Sequence, residues 1–152
     1  MRRDYFNLDL RNSGDEQTEA PVLEIRFDGP RDQLRERLRA RSDEPIDGDE
    51  TDMAYRLQGS VDDAEAAGVV GVTDRLTGEF IIELNAAASR ILEFVEAARA
   101  YGKTTSAATR YRVEILIRGE QVTAFDKSTF LVYDDAGELL RQHSLIPSGV
   151  EL

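Results

Sequence analysis

Tyr111-Arg112-Val113-Glu114-Ile115-Leu116-Ile117 decides the fold class. Tyr111, Val113, Ile115 and Ile117 fall on one side of an extended chain, with Arg112 and Glu114 on the other. Successive side chains of a strand point to opposite faces, so this heptad predicts a strand with one buried and one wet face. Arg118-Gly119-Glu120-Gln121 follows as a tight turn, and 121–133 returns as one long strand. Asp126-Lys127-Ser128 is expected to bulge or bend it. Asp134-Asp135-Ala136-Gly137 turns again, and 138–145 is expected as a last strand.

The same alternation recurs upstream. Phe6, Leu8 and Leu10 predict a strand over 4–10, and Leu23, Ile25 and Phe27 a second. Asp28-Gly29-Pro30 stops that strand and opens a helix, since proline suits the first helical turn. Leu34 and Leu38 mark its buried stripe, and it is expected to run to about Arg41. Met53, Tyr55 and Leu57 give a further strand, and Val70 and Val72 another. Asp74-Arg75-Leu76-Thr77-Gly78 makes a hairpin connection to Phe80, Ile82 and Leu84. Asn85 is read as the cap of a second helix that buries Ile91, Phe94, Val95, Ala98 and Tyr101, with Gly102 just past its end. Residues 12–20 and 42–51 read as mobile acidic loops.

Strands with one dry face indicate an α+β domain over 1–152: a mostly antiparallel sheet of about seven or eight strands with two helices on one face. An internal strand-strand-helix-strand duplication is one reading of the pattern. Leu23, Ile25, Phe27 and Leu34 have apolar counterparts 57 residues on, at Phe80, Ile82, Leu84 and Ile91. The alternative is two similar units in chance registry.

Charge is the strongest compositional signal. Thirty Asp and Glu face nineteen Lys and Arg, a formal net of −11, and Lys103 and Lys127 are the only lysines. Such self-repulsion opposes folding in dilute buffer. In molar salt the Debye length falls to about 3 Å and exposed carboxylates are screened. Arginine is also more weakly hydrated than lysine and pairs bidentately with carboxylates. The balance reads as adaptation to brine. A nucleic-acid mimic would gather its acids on one face, whereas here they recur along the whole chain.

No targeting segment is expected. Asp4 and Asp9 follow Met1-Arg2-Arg3, no apolar run approaches 18 residues, and a cytoplasmic protein without a membrane span is the reading. There are no cysteines, which excludes disulfides and thiolate metal sites.

Candidate sites are few. Arg31, Arg35, Arg37, Arg39 and Arg41 make the 31–41 helix a nucleic-acid surface in one alternative. That reading is disfavoured, because phosphate contacts weaken steeply with salt and no aromatic residues interleave. The acidic stretch Asp43 to Asp52 lacks the spacing of a calcium loop. His143, the single histidine, supports a second alternative, a small enzyme using it with carboxylates. No catalytic, cofactor or metal residue is assigned, and no cofactor is implied. The apolar ending is the most unusual stretch. Leu145, Ile146, Pro147, Val150 and Leu152 either fold over the core or dock a second copy or another protein.

The opening Met1-Arg2-Arg3-Asp4-Tyr5-Phe6 and the closing Leu139 to Leu152 resemble a family of small uncharacterised haloarchaeal proteins, a likeness that runs the full length. The resemblance implies a haloarchaeal cytoplasmic origin and transfers no functional residue. The leading expectation is therefore a non-enzymatic interaction or subunit module, with a homo-oligomer or protein partner.

Overall fold

The computed structural model describes residues 5–11, 20–38, 51–60, 62–63, 65–75, 77–104 and 109–146. The elements are β1 (Phe6–Arg11), β2 (Val22–Phe27), α1 (Arg31–Leu38), β3 (Thr51–Leu57), β4 (Ala67–Asp74), β5 (Phe80–Ala87), α2 (Ala88–Thr104), β6 (Tyr111–Ile117), β7 (Glu120–Lys127) and β8 (Leu131–Tyr133). A 3-10 turn covers Arg141–His143.

Alternation holds cleanly in β3 and β6. In β6, Tyr111, Val113, Ile115 and Ile117 are buried and the residues between them are half-exposed. In β3 the buried set is Thr51, Met53, Tyr55 and Leu57. Among the described residues the α+β content stands, with two α-helices and more strand than helix. The expected single, mostly antiparallel sheet does not.

Two mixed four-stranded sheets form instead, ordered β1-β2-β6-β7 and β5-β4-β3-β8. Hairpin neighbours pair antiparallel, but β2 lies parallel to β6 and β3 parallel to β8. Parallel partners need a long connection. Here α1 leads from the first sheet to the second, and α2 leads back. The helices link the sheets, where sequence alone placed both on one face of a single sheet.

This order also departs from the duplication that was one reading of the pattern. A two-fold duplication would set β3 beside β5, as β6 lies beside β2. The neighbour of β3 is β4, and β4 separates it from β5.

Inward residues of both sheets and of α2 make one apolar cluster. At its centre Phe94 of α2 meets Tyr111 edge-on at 5.3 Å and Phe130 at 5.9 Å, and Tyr111 meets Phe130 at 6.0 Å. Each such pair adds about 0.5–1.5 kcal/mol beyond its buried area. The edge strands β1 and β5 lie against each other, and Arg90 of α2 donates to the Leu8 carbonyl at 3.4 Å.

Local expectations fail where long-range contacts decide. The 121–133 strand splits, because the chain crosses between sheets over Ser128-Thr129-Phe130. Two bonds pin the crossing. Buried Lys127 donates from Nζ to the Thr51 carbonyl at 2.7 Å, and the Tyr111 hydroxyl donates to the Thr129 carbonyl at 2.6 Å. The expected last strand is reduced to two bridges, Tyr133 with Leu139 and Phe130 with Leu145. The 3-10 turn lies between them.

Asn85 does not cap α2; it pairs opposite Val69 within β5, and α2 starts at Ala88. Gly102 lies inside α2 rather than beyond it, where a Cβ would run into the Arg110 side chain. Arg118 (φ 50°) and Gly119 (φ 85°) form the β6–β7 turn, as a primed hairpin turn requires.

Candidate functional site

The outer faces of the two sheets differ in chemistry. On the first, register brings Asp9 opposite Glu24 and Glu24 beside Glu114, a row of three carboxylates. Arginines neutralise it. Arg26 donates to Glu24 at 2.8 Å and to Asp9 at 3.0 Å. Arg11 donates to Glu114, and Arg112 reaches Glu114 at 3.1 Å and Asp126 at 3.7 Å. Arg90 approaches Asp9 at 3.8 Å. The hydrogen bond to Glu24, with that carboxylate's charge, holds the Arg26 guanidinium above its ordinary pKa. Individual exposed pairs stabilise by about 0–1 kcal/mol. What the ladder accomplishes is to satisfy this face within the chain.

The outer face of the second sheet carries a shallow apolar groove of about 710 Å³. Ala54, Val69, Gly71 and Tyr133 line it, with Phe80 at one side and Arg56, Glu83 and Asp135 at its rim. Phe80 is 55% exposed, the one exposed large hydrophobic among the described residues. The sequence reading counted it as core. A bulge between Val72 and Thr73 sets it opposite Thr73 and turns it outward, leaving Ile81 buried in its place. Its ring lies over Gly71, where an added Cβ would stand 3.1 Å from the ring edge.

A second cleft, of about 550 Å³, opens where the C-terminal end of α2 meets the 141–146 segment. Arg99, Lys103, Arg110 and Arg141 line it, together with Ser128 and Gln142. The lining contains no carboxylate among the described residues. Arg99 ties the helix to the segment, donating to the carbonyls of Gln142 at 3.0 Å and Ser144 at 2.9 Å, and to Glu96 at 2.6 Å. Arg110 lies across Gly102, between Arg99 and Lys103 along the helix.

The residues singled out in the sequence are dispersed. Leu145 is buried in the core and paired with Phe130; Ile146 is half-buried beside the cationic cleft. Pro147, Val150 and Leu152 lie outside the described residues, as do Arg39, Arg41, the side chains of Arg31, Arg35 and Arg37, and nearly all of both acidic loops. His143 is half-buried in the 3-10 turn. The Ser144 hydroxyl beside it accepts from the Val132 N–H at 2.8 Å and donates to the Leu140 carbonyl at 2.8 Å. It is committed to holding the backbone, so the pair makes no nucleophile and base. Among the described residues no cluster of three or more His, Cys, Asp or Glu could hold a metal ion. No described helix is long and apolar enough to cross a membrane.

Neither the groove nor the cationic cleft was legible in the sequence. Phe80 sat in an apolar run, and the four cations are scattered between positions 99 and 141. The only available signal was lysine scarcity: a chain with two lysines keeps one in the cleft.

One family model, described as a family of unknown function (DUF5793), matches residues 1–152. No curated protein and no solved structure matches the chain.

Proposed function

Since the chain belongs to the DUF5793 family of unknown function over residues 1–152, we propose that it is a non-enzymatic association module of a salt-loving cytoplasm, and that its contact is the outer face of the second sheet, met by a second copy of the chain. The observation that carries this reading is the asymmetry of the two faces. One is zipped by its own ion pairs, and the other offers Phe80 over an apolar groove.

A second copy fits the rim. Arg56 stands with Glu83 and Asp135 around the groove. A two-fold axis places the same patch on both partners, so unlike charges can meet across it. Salt favours the contact. At a net charge of −11 two copies repel in dilute buffer, and brine screens that repulsion while leaving apolar burial intact. The distribution of acids supports the brine reading: exposed carboxylates occur on α1, α2, β3, β7 and the turns, as at Asp32, Glu93, Asp52, Glu120 and Asp135.

The absence of native cysteine makes a direct test simple. Thr73→Cys places one thiol beside Phe80, and Asp9→Cys places one on the ion ladder. In molar KCl, mild oxidation is expected to cross-link the Thr73→Cys chain into dimers well ahead of the Asp9→Cys chain. Equal or negligible cross-linking at both positions overturns the assignment.

A further inference from the structure

Granted the sheet-to-sheet contact proposed above, we infer that the two copies engage by reciprocal insertion: Phe80 of each seats in the partner's groove over Ala54. Both halves of such a joint lie on one patch of one chain. Phe80, at the start of β5, is the only exposed large hydrophobic among the described residues, and Ala54 is a half-buried floor position on β3. An isologous contact requires that self-complementarity, since a two-fold axis presents the same patch twice.

The residues of this face suit the joint. Ala54 pairs opposite Gly71 on β4, and Gly71 opposite Glu83 on β5. Alanine and glycine are disfavoured in strands, where β-branched and aromatic residues pack better. Side by side in the two central strands, they leave a depression where larger side chains would raise a ridge. Glycine in a strand interior often marks a close approach. At Gly71 the approach is made by the Phe80 ring of the same chain, whose edge would stand 3.1 Å from an added Cβ. The glycine thereby lets the ring lean across the sheet, and a ring placed before contact loses less entropy on docking. Ala54, one strand further on, keeps the floor open. Tyr133 pairs opposite Arg56 at the far side, and the groove of about 710 Å³ has room for the partner's phenyl ring between Phe80 and Tyr133.

Charge agrees with this arrangement. Seating the Phe80 of β5 over the β3 of the partner exchanges the two flanks of the groove. The same rotation carries Arg56, on β3, towards the partner's Glu83, on β5. Unlike charges therefore face each other on both sides of the joint.

Complementation between two variants tests it. Phe80→Ala removes the ring and leaves the socket open; Ala54→Phe fills the socket and keeps the ring. Each is followed by sedimentation velocity in 3 M KCl, alone and as an equimolar mixture, with urea unfolding to show that it folds. Ala54→Leu takes the place of Ala54→Phe should the larger side chain prevent folding. Alone, each variant is expected to stay monomeric where the unaltered chain dimerises. In the mixture, the ring of the Ala54→Phe chain enters the socket of the Phe80→Ala chain. A dimer is then expected to return, at an affinity about tenfold or more above that of either variant, from burial of one phenyl ring. The double variant Ala54→Phe/Phe80→Ala has neither part and is expected to rescue neither single variant. An unaltered chain that dimerises while the mixture stays as monomeric as its components, or an Ala54→Phe chain that dimerises like its parent, overturns reciprocal insertion and leaves the sheet contact standing. An unaltered chain that never dimerises removes the sheet contact and the joint together.

Discussion

Ser144→Ala removes one oxygen atom, and the structure assigns that atom two bonds. Its Oγ accepts from the Val132 N–H and donates to the Leu140 carbonyl, each at 2.8 Å, and the residue is only 3% exposed. The first bond stands in for a missing strand neighbour at the edge of β8. Without it a buried N–H loses its acceptor, which costs about 1–3 kcal/mol. The second bond contributes about 0.5–1.5 kcal/mol. The apolar contacts hardly change, so the sum is about 2–4 kcal/mol out of a total stability of about 5–15 kcal/mol. For a domain of this size that lowers Tm by roughly 5–15 °C. Urea titration in 3 M KCl is the suitable assay, because guanidinium would itself alter the screening. Ser128→Ala, half-buried in the same region, is the matched control and should lose well under 1 kcal/mol. A Ser144→Ala loss below about 0.5 kcal/mol would refute the reasoning, showing that the 139–145 segment is held to β8 by something other than this hydroxyl.

Three further outcomes are expected. Gly68→Ala should destabilise by about 1–3 kcal/mol in the same titration, because its Cβ would stand 2.6 Å from the Tyr55 ring and hydroxyl, inside a packed core. Stability should fall as pH rises above about 10. Burial pushes the Tyr55 phenol up to about 12, and burial, followed by the Asp52 charge, pushes Tyr111 well up. Both phenols stay neutral when folded and ionise near pH 10 when unfolded, so their contribution is whole below about pH 10 and is lost as pH rises through the folded values. For Tyr55 two units correspond to about 2–3 kcal/mol; unfolding followed between pH 9 and 12 should show the loss, and Tyr55→Phe should reduce it. Phe94→Ala, which empties the contact with Tyr111 and Phe130, should cost about 3–5 kcal/mol by the same urea assay.

Local pattern carried most of the elements and little of their arrangement. The alternation in β3 and β6 was readable because each strand keeps one face dry along its whole length. Sheet membership was not, since a strand that pairs parallel through a helix has the same period as one in a hairpin. Hence β2 beside β6, and β3 beside β8, appear only in three dimensions. The division of 121–133 between two sheets depends on Lys127 and Tyr111 finding carbonyls at Thr51 and Thr129, far apart in sequence. Phe80 shows the same limit at one residue. Its neighbours predict burial, and a bulge in the pairing with β4 reverses it. The cationic cleft draws on α2, the start of β6, the crossing and the 3-10 turn, so no window of sequence contains it. Asn85 and Gly102 looked like helix signals, but strand pairing claimed one and the Arg110 side chain the other.

Sedimentation equilibrium of the unaltered chain and of Phe80→Asp, in 3 M KCl over a hundredfold range of concentration, tests the central claim most directly. The account predicts a reversible dimer for the unaltered chain and a monomer throughout for Phe80→Asp, with both monomeric and less stable in dilute buffer. A chain that stays monomeric in brine at every concentration, or a Phe80→Asp variant that dimerises as tightly as its parent, would contradict it.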